Sequence, residues 1–142
     1  TPKPSSAASD VYKRQTHNHP KYLTPAGDTG SIYNMAAMAN PAAEMHICEG
    51  EFDSMILEQC GWSAVALPGA TSWQNFWTKF FEGYDRIYIW SDPDKAGDQM
   101  AQTIQTALPQ AIHVPLTVGD VTDTYLQAGK TGLTQALDTV LQ

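Results

Sequence analysis

Cysteine is scarce in this chain: Cys48 and Cys60 are the two thiols among 142 residues. They fall in segments that read as a strand and a helix end, so they do not make a disulfide framework. No stretch combines a basic start, an apolar middle and a small-residue cleavage site, and a reducing cytoplasm is the expected compartment. Long apolar runs are missing too; none approaches the roughly eighteen residues that a membrane-spanning helix needs. Basic charge is thin, with 8 Lys and Arg against 15 Asp and Glu, for a formal net charge of −7. From Glu44 onward thirteen acids face only Lys79, Arg86, Lys95 and Lys130, whereas the first 43 residues carry a small positive excess. A body of that sign does not hold a phosphate backbone by electrostatics alone, so work on nucleic acid would require a divalent cation or positive charge from another domain.

No internal repeat is present, and the length fits one domain. Residues 1–20, rich in Pro, Ser and Ala and without periodicity, read as a disordered or non-native leader. Residues 21–43 read as a linker with one helical turn near Ile32–Met38. From residue 44 to 142 the pattern is regular. Strands are predicted in "EMHICEG", "WSAVALPG", "RIYIWS" and "AIHVPL", the last limited by Pro115 to an edge or an early end. Helices are predicted between them. The first places Phe52, Met55, Ile56 and Cys60 on one face, with Gly61 as its C-cap. In the second, Trp73, Phe76, Trp77, Phe80 and Phe81 recur at helical spacing, which predicts a core-facing aromatic stripe. The third puts Ala96, Met100, Ile104 and Leu108 inward, and two short helices close the chain. The βαβαβαβα order predicts an α/β fold, a mostly parallel four-stranded sheet flanked by helices on both faces.

In such a sheet the ligand edge lies beyond the C-terminal ends of the strands, and acids gather there. Glu49 ends the first strand with Asp53 one turn later; Asp92 and Asp94 follow the third strand; Asp120 and Asp123 follow the fourth. Like charges so close repel unless water or a cation separates them. Hard oxygen donors at three βα junctions suit Mg²⁺ or Mn²⁺, and two such ions would assist phosphoryl transfer. The competing reading is structural: Asp92 is also placed to cap the following helix, with Pro93 in its first turn.

"ICEGEFDSMILEQCGWSAVALPGATSW", "IYIWSDPDKAGDQMA" and "GDVTDTYLQAG", in that order and spacing, resemble the toprim domain of DnaG-type primases and phage primase–helicases, over about residues 44–130. The resemblance implies a toprim-type Rossmann-like fold. It implies that Glu49, Asp92 and Asp94 are catalytic, that Glu49, Asp53, Asp92, Asp94, Asp120 and Asp123 bind Mg²⁺ or Mn²⁺, and that the glutamate acts in acid–base chemistry. Lys21, in a "KYLTPAG" segment resembling the approach to toprim in primases, is assigned with Lys95, Gly50 and Gly69 to nucleotide or nucleic-acid contacts. The implied activity is metal-dependent nucleotidyl transfer: RNA primer synthesis from NTPs on single-stranded DNA, with a replicative or fused helicase as partner and no membrane. Zinc-ribbon cysteines and most of the basic subdomain that precedes toprim are not found, so the chain reads as a fragment of a primase.

Toprim nucleases and topoisomerases use the same metals for cleavage, and a non-catalytic toprim-fold docking module would keep the same acids. A receiver-like domain would need a lysine after the fourth strand, where this chain has "TVGD". "AGKTG" at 128–132 lacks the first glycine of a P-loop (Thr124 stands there) and no strand leads into it, so "QAG" reads as a helix C-cap. His46 alternates with apolar neighbours and reads as packed, and Cys48 has no obvious histidine base.

Overall fold

Alternating apolar residues build the sheet. The strands are β1 (Glu44–Cys48), β2 (Ala64–Ala66), β3 (Arg86–Trp90) and β4 (Ala111–Val114), all parallel, in the order β2-β1-β3-β4. The structure is a computed structural model whose described residues are 30–39 and 43–141. The leader expected over 1–20 and the site residue Lys21 lie outside the described residues. Within the unit Ser31–Gln142, Tyr33 adds an antiparallel bridge to Ala66, with Tyr33 N donating to Ala66 O at 2.7 Å. Ile32 and Ala37 are buried in the core beside it.

Strand period 2 sends successive side chains to opposite faces, and the two cores follow it. Met45, Ile47, Val65, Ile87 and Ile89 face one side, where Met100, Ala101 and Ile104 of α3 (Lys95–Ala107) cover them. Cys48, Ala64, Ala66, Tyr88 and Trp90 face the other, against Leu57 of α1 (Glu51–Gln59) and Leu133 and Leu137 of α4 (Val121–Leu141). The α/β sandwich expected from the element order is therefore present. Strand order reverses between β1 and β3, so α1 and α3 lie on opposite faces and their N-termini part at that point. This switch point is where parallel sheets bind ligands.

Several local expectations are corrected. On α1 the buried side chains are Asp53, Ser54 and Leu57, while Phe52 and Met55 are exposed. The helix turns its N-terminal acid inward toward α4 and leaves the two larger side chains outside. Residues 72–83 do not form one helix. A 3₁₀ turn (Asn75–Trp77) leads into a one-turn α2 (Thr78–Phe81), so the period breaks. Trp77 and Phe81 are buried, but Phe76 is 64% exposed. Ala96 is exposed, and Gly97 takes the inward position in the first turn of α3. The two closing helices join in α4 across a break at Gly129 (φ 65°, ψ −163°), backbone open essentially to glycine alone. β4 is an edge strand and stops before Pro115.

Candidate active site

The site begins with the ends of the two central strands. β1 runs into Glu49, and β3 runs through the buried Ser91 into Asp92. The main-chain N–H of Asp92 donates to Glu49 Oε2 at 2.9 Å, which ties the two strand ends together. Asp53 enters from α1 and is only 5% exposed. Its Oδ1 accepts from both the N–H (3.0 Å) and the hydroxyl (2.7 Å) of Thr122 on α4. Asp120 stands at the start of α4. Its Oδ1 accepts from Asp123 N at 2.8 Å, and Asp123 Oδ2 accepts from Asp120 N at 3.2 Å, a reciprocal pair that caps the helix.

These elements bring Asp53, Asp92 and Asp120 together: one carboxylate oxygen from each lies within 4.8 Å of the others. Two unit charges 4 Å apart repel by about 4 kcal/mol at an effective dielectric near 20, so the cluster resists full ionisation. Asp53 is pushed up to about 6, first by burial, with Asp120 and Glu49 adding repulsion and the Thr122 hydrogen bonds opposing. Asp92 is likewise pushed up to about 6 by burial and then by Glu49, Asp120, Asp53 and Asp94. Among the described residues no lysine or arginine forms an ion pair with the three; Arg86 pairs with Glu44 at 2.9 Å instead. Clustered hard oxygen donors, with Asp53 and Asp92 raised in pKa and no basic ion-pair partner among the described residues, fit a divalent cation.

The other predicted site residues are placed as follows. Asp94, not Asp92, caps α3: its Oδ1 accepts from Gly97 N at 2.7 Å, which corrects the capping alternative and leaves Asp92 free of that duty. Glu49 reaches the cluster through Asp92 N–H, and Asp123 through its exchange with Asp120. Gly50 is the N-cap residue of α1. Gly69 closes a turn with Ser72, whose hydroxyl donates to Gly69 O at 2.6 Å. Lys95, the first residue of α3, is exposed.

Two contributors escaped the sequence reading. Thr122 had no local signal, since its partner is 69 residues away. Gly97 had one, a glycine in the first turn of a helix where it lowers propensity. A Cβ there would sit 2.2 Å from the main-chain oxygen of Asp92, so only glycine lets α3 start this close to the site. Cys48 is fully buried, which pushes its thiol well above the ordinary value, and Sγ lies 3.5 Å from the main-chain oxygens of both Gly50 and Val65. His46 is packed, as expected. It stacks on Tyr88 and Trp62, and its Nδ1 accepts from Trp90 Nε1 at 2.8 Å.

Fold and site together define a doubly wound α/β domain with carboxylates from three βα junctions gathered at its switch point. The signature of the family described as Toprim-like matches residues 46–123, and the chain belongs to that family. The Gene 57 protein of Mycobacterium phage D29 is 34% identical over 133 residues, covering 93% of this chain and 88% of that protein. A DNA primase domain from Pseudomonas aeruginosa shares the fold with a TM-score of 0.67 and 24% identity, over 87% of this chain and 44% of that one. The primase fragment of the bacteriophage T7 primase-helicase protein gives 0.61 and 21%, over 68% of this chain and 44% of its own. The chain thus spans less than half the length of these two primase structures. Among the described residues no helix is long and apolar enough to cross a membrane.

Proposed function

We propose that this domain is the nucleotidyl-transfer module of a phage-type DNA primase, extending an RNA primer on single-stranded DNA with NTPs. The observation that carries the reading is the convergence of Asp53, Asp92 and Asp120 within 4.8 Å at the switch point with no basic ion-pair partner among the described residues. These three would hold Mg²⁺ or Mn²⁺, with Glu49, Asp94 and Asp123 completing the acidic edge. When bound, the cation supplies the positive charge that the phosphates and this acidic body both need.

The chain's own groups have separate tasks. Glu49 Oε2 is held by Asp92 N–H, which leaves Oε1 to accept the proton of the primer 3′-hydroxyl. The primer 3′-oxygen, freed of its proton, bonds to the α-phosphorus of the NTP as the bond to pyrophosphate breaks. Lys95, exposed at the N-terminus of α3, meets the departing phosphates. A helicase, separate or fused, would supply the single strand, and positive charge for the template backbone would come from elsewhere in the assembly.

A labelled RNA primer annealed to a DNA template, incubated with the chain, NTPs and Mn²⁺, tests this without requiring primer initiation. Lengthened products that vanish in the Asp92→Ala/Asp94→Ala variant support the reading. Shortened products would assign cleavage instead, and a primer left unchanged even when the flanking primase domains are added would leave the fold in a docking role.

A further inference from the structure

Asp53 reaches the carboxylate cluster from inside the protein with one of its oxygens already occupied. Thr122 N–H and Thr122 Oγ1 both donate to Oδ1, at 3.0 and 2.7 Å. A carboxylate oxygen offers about two lone-pair sites, so α4 saturates Oδ1 and Oδ2 is the atom left to meet a cation. Oδ2 lies on the side of Gly50, 3.6 Å from where a Cβ on that residue would stand.

The surroundings hold this arrangement firmly. Asp53 is buried in the first turn of α1. Thr122 is the second residue of α4, whose start is set by the Asp120–Asp123 exchange and by Thr124 N donating to Asp120 O at 3.0 Å. A carboxylate with one oxygen saturated ligates through the other alone. Mg²⁺ takes roughly six ligands in strict octahedral geometry and accepts single-oxygen carboxylates. Ca²⁺ takes roughly six to eight and readily uses both oxygens of one carboxylate.

We infer that Thr122 sets the cation preference of this edge: by occupying Asp53 Oδ1 it restricts the carboxylate to single-oxygen ligation, which favours Mg²⁺ and Mn²⁺ over Ca²⁺. Thr122 is a positioning residue, acting through Asp53. The inference rests on the acidic edge being a cation site, as under the function proposed above.

The test is Mn²⁺ titration followed by water-proton relaxation, with Ca²⁺ as competitor, on the full chain and on Thr122→Val and Thr122→Ser. Valine keeps the shape and the main-chain N–H but removes the hydroxyl, so Oδ1 loses one of its two donors. Thr122→Val should weaken Mn²⁺ binding about tenfold and shift competition toward Ca²⁺, and Thr122→Ser should restore both. A structural role alone would not move the ratio of the two ions. Circular dichroism without metal confirms the fold, and Thr122→Ala carries the same readout if the valine variant fails to fold. An unchanged Ca²⁺/Mn²⁺ ratio in the folded hydroxyl-less variant overturns the role of Thr122 alone. Absence of saturable Mn²⁺ binding by the unaltered chain overturns the cation reading of the edge and this inference with it.

Discussion

The main-chain N–H of Asp92 points at Glu49 Oε2 from 2.9 Å, joining two residues 43 positions apart across the centre of the sheet. Through this bond the loop after β3 is registered against the end of β1, and the Asp92 carboxylate is delivered to Asp53 and Asp120. The hydrogen bond uses a main-chain donor, so it survives substitution of the Asp92 side chain and permits a clean test of the carboxylate.

Asp92→Asn should make the metal-free fold more stable. Above pH 6 the native state holds an ionised Asp92 against burial and four neighbouring acids, and the amide removes that repulsion. Allowing for solvent screening of this partly exposed group, the gain is about 1 kcal/mol. The same variant should lose the rise in Tm that Mn²⁺ confers on the unaltered chain. A less stable metal-free variant in denaturant titration would contradict the repulsion argument.

Cation binding should depend on pH with a break near 6. Asp53 and Asp92 are both raised to about 6, so below that pH a proton occupies a ligand oxygen and the cation must displace it. Affinity should be level above the break and fall below it, by about tenfold per pH unit for each proton displaced. Isothermal titration between pH 5 and 8 in two buffers of different ionisation enthalpy reads both the break and the proton count.

Gly97→Ala should disturb the site from the opposite face of the sheet. The added methyl meets Asp92 O at 2.2 Å, and that obstacle is main chain, which cannot swing aside. Moving the start of α3 should cost about 2 kcal/mol and weaken Mn²⁺ binding by shifting Asp92. Gly83→Ala, where a Cβ meets nothing within 4 Å, serves as the control and should be close to neutral. Equal Mn²⁺ affinities in the two variants would separate Gly97 from the site.

His46 should stay neutral down to about pH 4. Burial lowers its pKa to about 4, although Glu44 partly opposes this. The unfolded chain takes up that proton near 6.5, so between 6.5 and 4 the unfolded state binds more protons and the native state loses stability as pH falls. The loss attributable to His46 is about 3 kcal/mol. Asp53 and Asp92 act with the opposite sign in the same window, so the difference between the unaltered chain and His46→Gln isolates the effect. Because Nδ1 accepts from Trp90 Nε1, nitrogen NMR shifts should place the ring proton on Nε2, 3.5 Å from Glu44.

Much of this protein is written locally. The β-favouring run in "RIYIW", the glycine after Glu49 and the alternation of strand and helix patterns specify a parallel α/β sheet, because strand and helix periods are properties of neighbouring residues. The position of the acids after three of the four strands follows from the same local order, since every strand of a parallel sheet ends on one edge. Side-chain exposure was less legible. Phe52 and Phe76 fit an inward helical face by spacing, yet both are exposed. On α1 the inward face carries Asp53, bonded to Thr122 of α4, and Leu57, and the aromatic helix breaks up after a single turn.

The tertiary structure alone decided which acids meet. Local order placed six of them at one edge; folding brought three within 4.8 Å of one another, turned Asp94 to cap α3 and Asp123 to cap α4, and fixed Glu49 against a main-chain N–H. Thr122 and Gly97 acquire their roles only when α4 packs on α1 and α3 starts against the Asp92 loop. Periodicity is read over a few residues, whereas a hydrogen bond between residues 53 and 122 exists only after the sheet has ordered its strands and the two helices have packed over it.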